Sequence, residues 1–341
     1  MLKLNRYDSN IAEISESVLR ILLALAGFSM LATAACSSST PSIIFTSDRD
    51  GNLELYSISS SGEGLLNLTS SSENESRAVK SPDGALVAFQ SGSDGNNAIE
   101  VITSDGETRT RMTNLGGGHR YQRWAPSSSR LAYVYENGSD STIYIANTDG
   151  SNPIKLTSVP GDEVGDWSGD GNSIVFVVRN GEGRGLYLRN PDGVNERRLT
   201  DTPDYSPVWS PNSRKLVFVS TRDGNPEIYV MNADGSGQAR ITETDEAEHS
   251  PAWSPDGRKL LFVSERDGNA EIYVSDSRGS DLQRLTQNGV RDDQPVWSPD
   301  GKQIAFVSYM DGDADIVVMN ADGTEQSRLT NNSAQDTDPA W

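Results

Sequence analysis

The sequence predicts an all-β protein, a seven-bladed β-propeller of four-stranded antiparallel blades, closed by the C-terminal strand completing blade 1. Three observations predict it. A unit recurs every 42–44 residues from about residue 43 to the end of the chain. Each unit holds four short runs rich in Val, Ile, Phe and Tyr, the residues strands prefer, separated by turn-forming pairs. No amphipathic helical pattern occurs after residue 40.

The first run of each unit is set by the phrase P-x-W-S-P-D-G: PVWSPN from Pro207, PAWSPDG from Pro251, PVWSPDG from Pro295, with PAW ending at Trp341. Trp124 and Trp167 sit in weaker copies, and Lys80 takes the seventh equivalent place. The second run carries a central aromatic: Phe45, Phe89, Tyr133, Phe176, Phe218, Phe262 and Phe306. Asp-Gly or Asn-Gly pairs follow, such as Asp223-Gly224, whose tolerance of positive φ suits tight hairpins. The third run, of the EIYVMN type, has Tyr at 56, 144, 187, 229 and 273, with Glu100 and Val317 in the other two units. The fourth closes on Leu-Thr or a near match. The first unit lacks a Trp run and the last carries an extra one, Asp338–Trp341, so seven complete sets require that run to join the first blade. Such closure removes two exposed sheet edges. The Trp and Phe columns are expected in the core between blades.

Ahead of the repeats, residues 21–35 form an apolar run too short to span a bilayer comfortably, preceded by Arg20 and followed by Cys36. Residues 1–35 read as a secretory signal of lipoprotein type, Cys36 as the lipidated residue and residues 36–42 as a flexible tether, with residues 43–341 as the propeller. Thr33-Ala34-Ala35 would equally suit ordinary cleavage. The expected address is outside the cytoplasm, periplasmic or cell-surface, with membrane contact only through the lipid.

Composition excludes several functions. One Cys rules out an internal disulfide framework, and two His leave little for an imidazole zinc site. With 49 acids against 29 bases, the net charge of −20 argues against a nucleic-acid surface. No G-x-S-x-G elbow is present.

WSPDG, FVS-x-RDGN-x-EIYV, NADG and RLT together resemble the TolB-type, WD40-like β-propeller repeat, over roughly residues 43–341. The resemblance implies an envelope propeller of that repeat family. The family's namesake has six blades behind an additional N-terminal domain, whereas seven units are counted here.

Two sets of residues stand out as candidate sites. Five residues before each Trp-column position stand Glu75, His119, Asp162, Asp204, Glu248, Asp292 and Asp336. Acids so placed would ring one channel mouth and suit a hard cation such as calcium; alternatively each pairs with a base, such as the one before Leu-Thr in six units, Arg111, Lys155, Arg198, Arg240, Arg284 and Arg328. The second set is the least repeat-like loop, GGGHRYQR, with His119, Arg120, Tyr121 and Arg123, joined by Arg179 and Arg184 near one hairpin. Tyr and Arg are favoured in interfaces, so this set is the expected partner-binding patch on the loop face. The expectation is a monomeric, cofactor-free scaffold for a protein or peptide. A small-ligand or cation-binding propeller and a carbohydrate-active lyase or hydrolase are the alternatives.

Overall fold

The computed structural model describes residues 42–114, 116–138, 140–157, 162–179 and 181–341. Cys36, the expected leader and the tether up to residue 41 lie outside them. The described residues form seven four-stranded antiparallel sheets and no helix. Six sheets run in chain order. The first is assembled as Asp336–Ala340, Ser42–Ser47, Glu54–Ser59 and Leu66–Asn67, so the last strand of the chain completes it. Ser47 pairs with Asp336, Thr46 with Thr337 and Ile44 with Ala340. The innermost strands touch in succession round the axis: Glu75–Lys80, Gly118–Trp124, Asp162–Trp167, Asp204–Trp209, Glu248–Trp253, Asp292–Trp297 and Asp336–Ala340, the last meeting the first. The ring of seven is shut.

A strand inside such a ring has a neighbouring blade on each face, which explains why its sequence is apolar throughout. In Lys215–Ser220, Leu216 and Phe218 pack towards blade 4, while Val217 and Val219 pack towards blade 6. The core is therefore seven clusters, one per blade interface. The seam is no exception: Ile43, Phe45 and Tyr56 of blade 1 pack on Val307, Ile316 and Val318 of blade 7, with Trp341 against them. The six Phe of the aromatic column are fully buried, each contributing about 1.5–3 kcal/mol by its removal from water.

Two polar devices recur, one between blades and one within each blade. The indole Nε1 of Trp124 donates to Val79 O of the preceding blade at 2.9 Å, Trp167 to Arg123 O at 3.2 Å and Trp253 to Val208 O at 3.3 Å. Lys80, standing where Trp is expected, reaches the same neighbour differently: Nζ donates to Ser42 O at 2.9 Å and Ser42 Oγ at 3.1 Å, and burial lowers its pKa. The Thr of each Leu-Thr accepts, through Oγ1, the amide of its third strand, as in Leu55 N to Thr69, Ile228 N to Thr242 and Ile316 N to Thr330. All seven blades do this, which is why Thr recurs there.

Each innermost strand carries a bulge just before the Trp column. In six blades its first residue is left-handed: Arg77, Tyr121, Ser206, Ser250, Gln294 and Asp338, with φ between 50° and 56°. Proline follows in four of them, at a site where the strand needs no ladder N–H. Blade 4 has Gly165 at the proline position, and a Cβ there would lie 2.5 Å from Pro207 Cγ and 2.9 Å from Val175 O.

Deleting residues 336–341 leaves Arg49 without Asp336 and exposes the edge of Ser42–Ser47. Urea denaturation is expected to show a loss of more than about 3 kcal/mol together with aggregation; an unchanged midpoint would remove closure as the source of stability.

Candidate functional site: the central channel and its inner strands

The column of acids sits at the start of each innermost strand, but facing into its own blade. Glu75, Asp204, Glu248, Asp292 and Asp336 are at most 2% exposed. Asp336 accepts from Arg49 Nη2 at 2.9 Å, Asp204 from Arg222 Nη2 at 3.0 Å, and Glu248 from Arg266 Nη2 at 3.0 Å. Glu75 takes Arg109 Nη2 at 2.9 Å, and Asp292 is held by Ser308 and by Asn288 Nδ2 at 2.7 Å. Burial pushes Glu75, Glu248 and Asp292 above the usual carboxylate range, against the pull of these donors. The side chain of Asp162 lies outside the described residues. The expected cation ring is thus corrected by geometry: these five acids point away from the channel, and no three His, Cys, Asp or Glu among the described residues are grouped to hold a metal ion.

The partner base also differs from the one the repeat pattern suggested. It comes from the RDG turn, where Arg49, Arg222 and Arg266 lie over Tyr56, Tyr229 and Tyr273 at 4.4, 4.6 and 4.8 Å. Each Tyr hydroxyl donates to the Asp of the same turn, Asp50, Asp223 or Asp267. The bases before Leu-Thr serve a second column of buried acids that spacing alone did not reveal. Arg240 bonds Glu227 at 2.7 Å and Arg284 bonds Glu271 at 2.9 Å, and Arg328 bonds Asp315. The available signal was the Glu of E-I-Y-V, a carboxylate opening an otherwise apolar run.

The channel wall is formed by positions that alternate with the buried ones. One residue before the Trp column, it is Val79, Arg123, Asp166, Val208, Ala252, Val296 and Ala340. The wall is apolar there except for Arg123 and Asp166 on adjacent blades. Arg123 Nε donates to Gly165 O at 3.1 Å. Asp166 accepts from Trp167 N at 2.8 Å and Trp209 N at 2.9 Å. Although water reaches it along the channel, protein surrounds it, and desolvation raises its pKa to about 6 despite Arg123. At the bulges, Arg77, Tyr121, Gln294 and Asp338 line a cavity of about 530 Å³. Burial raises the pKa of Asp338 while Arg77 opposes it, and Asp338 N donates to Gln294 Oε1 at 2.8 Å. The W-S-P-D-G end opens into a different hollow of about 430 Å³, faced by Trp253, Trp297, Trp341 and Lys80.

The divergent patch is split by the strand it lies on. His119 is fully buried, its Nδ1 2.7 Å from Asn97 O and its ring 5.2 Å from that of Tyr135; burial lowers its pKa. It is not a loop-face contact, which corrects the expectation, because it occupies the inward-facing register of the acid column. Arg123 is a channel-wall residue. Arg120 pairs with Glu136 and lies 4.9 Å over Tyr121. Arg179 pairs with Glu163 and lies within electrostatic reach of Tyr121 and Tyr205. Arg120, Tyr121 and Arg179 therefore lie near the bulge end of the channel, while Arg184 is exposed on its hairpin.

The family model described as TolB beta propeller domain matches residues 25–205 and 202–309. The chain belongs to this family. TolB from Acinetobacter baumannii has a similar structure, with a TM-score of 0.60 at 19% identity, covering 99% of this TolB-type chain and 74% of that one. An oligogalacturonate lyase in complex with manganese gives 0.68 at 16% identity, over 82% and 86% of the two chains. The propeller domain of the Trilobed protease from Pyrococcus furiosus gives 0.63 at 14% identity, over 82% and 87%. That domain is described as having an open velcro topology; the TolB-type ring here is closed by strand pairing. These likenesses are of fold alone. No curated protein sequence matches the chain.

Two measurements test the energetics of this TolB-type propeller. Arg266→Ala leaves Glu248 buried without its base and is expected to cost about 3–5 kcal/mol in chemical denaturation. Asp166 keeps its proton up to about pH 6 in the fold but loses it near ~4 when unfolded. The stability it lends is full below that lower value and is lost as pH rises through the upper one. Asp166→Asn should therefore gain about 3 kcal/mol relative to the parent between about pH 3.5 and about pH 7.5; a pH-independent difference would refute the assignment.

Proposed function

We propose that this protein is a non-enzymatic scaffold of the cell envelope, exported and held by a lipid on Cys36, that binds a protein or peptide segment at the bulge end of its channel. The observation that carries the reading is the composition of that end. The repeat fixes what lies between blades but leaves the bulge and its preceding residue free to vary, and here they present Arg77, Arg120, Tyr121, Tyr205, His249 and Gln294 beside the acids Glu163, Asp293 and Asp338. Tyr gives large contact area at low entropic cost and Arg several directed donors, and a shut ring holds their backbone with little motion to lose on binding. Membership of the TolB propeller family supports the envelope setting, and a structural neighbour is itself a TolB. Neighbours that are peptidases or a lyase share the fold, and fold does not carry their chemistry across.

The test is photo-crosslinking from position 121 in intact envelopes. A discrete captured protein is expected, and Arg77→Ala with Arg179→Ala should reduce capture about tenfold while leaving the thermal midpoint within a few degrees. Equal capture by parent and variant would overturn the reading. Replacing Cys36 with Ser should release the protein from membranes; retention there would refute the lipid anchor alone.

A further inference from the structure

The repeat supplies its own control for a second site, away from the channel. In blades 1, 5 and 6 the space between the second-strand hairpin and the fourth strand is filled by the Arg of RDG and the Tyr of EIYV, as with Arg222 over Tyr229. Blade 2 lacks both, and the buried acid of the third strand as well. Ser93 stands where Arg222 would, Ala98 where Glu227 would and Glu100 where Tyr229 would. A hollow of about 440 Å³ remains, within the range of about 300–1,000 Å³ usual for small-molecule sites.

Its lining is polar. Arg109 is taken over from the fourth strand: Nε donates to Glu100 Oε2, and Nη2 to Glu75 Oε1 at 2.9 Å and Ser91 Oγ at 3.1 Å. Arg111 lies 3.8 Å from Glu100 Oε1, with its side chain 60% exposed. Asn96 differs from its counterparts. Asn225 and Asn269 donate to the buried acid beside them and to loop carbonyls, whereas Asn96 is exposed at the rim opposite Asn114. Behind the wall, Glu75 Oε2 and His119 Nε2 are buried with no hydrogen-bond partner among the described residues, as are Asp204 Oδ1 and Glu271 Oε2 in the filled blades.

The charges decide the class of ligand. Glu73 and Glu100 line the hollow together with Arg109 and Arg111, two acids against two bases, so the lining has no excess charge to draw an ion. What the hollow offers is an alternation of guanidinium and amide donors with carboxylate and amide acceptors. Vicinal hydroxyl groups, each both donor and acceptor, match that alternation. We propose that the blade 2 hollow binds a neutral saccharide, with Arg111, Glu100 and Asn96 contacting its hydroxyls.

The full-length protein is titrated with N-acetylglucosamine, chitobiose, maltose and cellobiose, each to about 10 mM, by ligand-observed saturation-transfer NMR, with glycylglycine as the zwitterionic comparison. At least one saccharide is expected to bind and the dipeptide not to. Arg111→Ala, a change at an exposed side chain, should weaken binding about tenfold, the loss of one or two hydrogen bonds. The double variant Ser93→Arg/Glu100→Tyr restores two of the three repeat residues and refills the hollow; it should abolish the signal while still unfolding in a single cooperative thermal transition. Absence of any saccharide signal, binding of glycylglycine alone, or undiminished binding by the refilled variant would each overturn the proposal. Capture at position 121 does not depend on these residues, so the two readings fail separately.

Discussion

Everything in this molecule depends on one strand pairing, Asp336–Ala340 against Ser42–Ser47. Each blade buries both of its faces only if a neighbour stands on either side, and the first and last blades have neighbours only because the final strand returns to the first sheet. The pairing is reinforced at both ends, by Arg49 gripping Asp336 and by Trp341 packing into the cluster shared with blade 7. Without it, the packing of Phe45 and the channel position of Asp338 would both be lost. The channel is a by-product of this closure, and so is the fixed placement of the side chains that line it.

Within the ring, the repeat divides labour between two kinds of buried acid. One fastens the innermost strand to the turn through an arginine stacked on tyrosine. The other fastens the third strand to the fourth. Apart from Asp292, held by Ser308 and Asn288 alone, each of these paired carboxylates has a charged donor, which is what makes burial tolerable. In blade 2 the device is dismantled: the charges find new partners and the volume once filled by side chains stays open.

The blade count and the seam were legible because they rest on period and composition, which a sequence shows directly. The Trp and Phe columns were placed correctly between blades for the same reason. The acids were harder. Spacing fixed Glu248 at the start of an inner strand but not the side to which it turns; that depends on register relative to a bulge, and the bulge is visible only as left-handed residues such as Ser250. His119 was misplaced by the same ambiguity, since an unusual loop sequence hid an ordinary inward register. Arg240 was seen as a repeated base, yet its partner Glu227 lies 13 residues away across a hairpin, a pairing that needed the fold. The hollow in blade 2 is written in the sequence as Ser93, Ala98 and Glu100, but three missing side chains have no meaning until their shared location is known.

The bulge residues carry a consequence for how such rings diversify. Because the backbone is bent into a left-handed turn at the same height in six blades, the side chain there is aimed by main-chain geometry and not by its own packing. Arg77, Tyr121, Ser206 and Asp338 are as different as residues can be, and each is presented at an equivalent point on the axis. The scaffold behaves like a socket with interchangeable pins. Since Ala340 lies beside Ile44, the order in which those pins are strung could be rotated by circular permutation without altering the pattern they display.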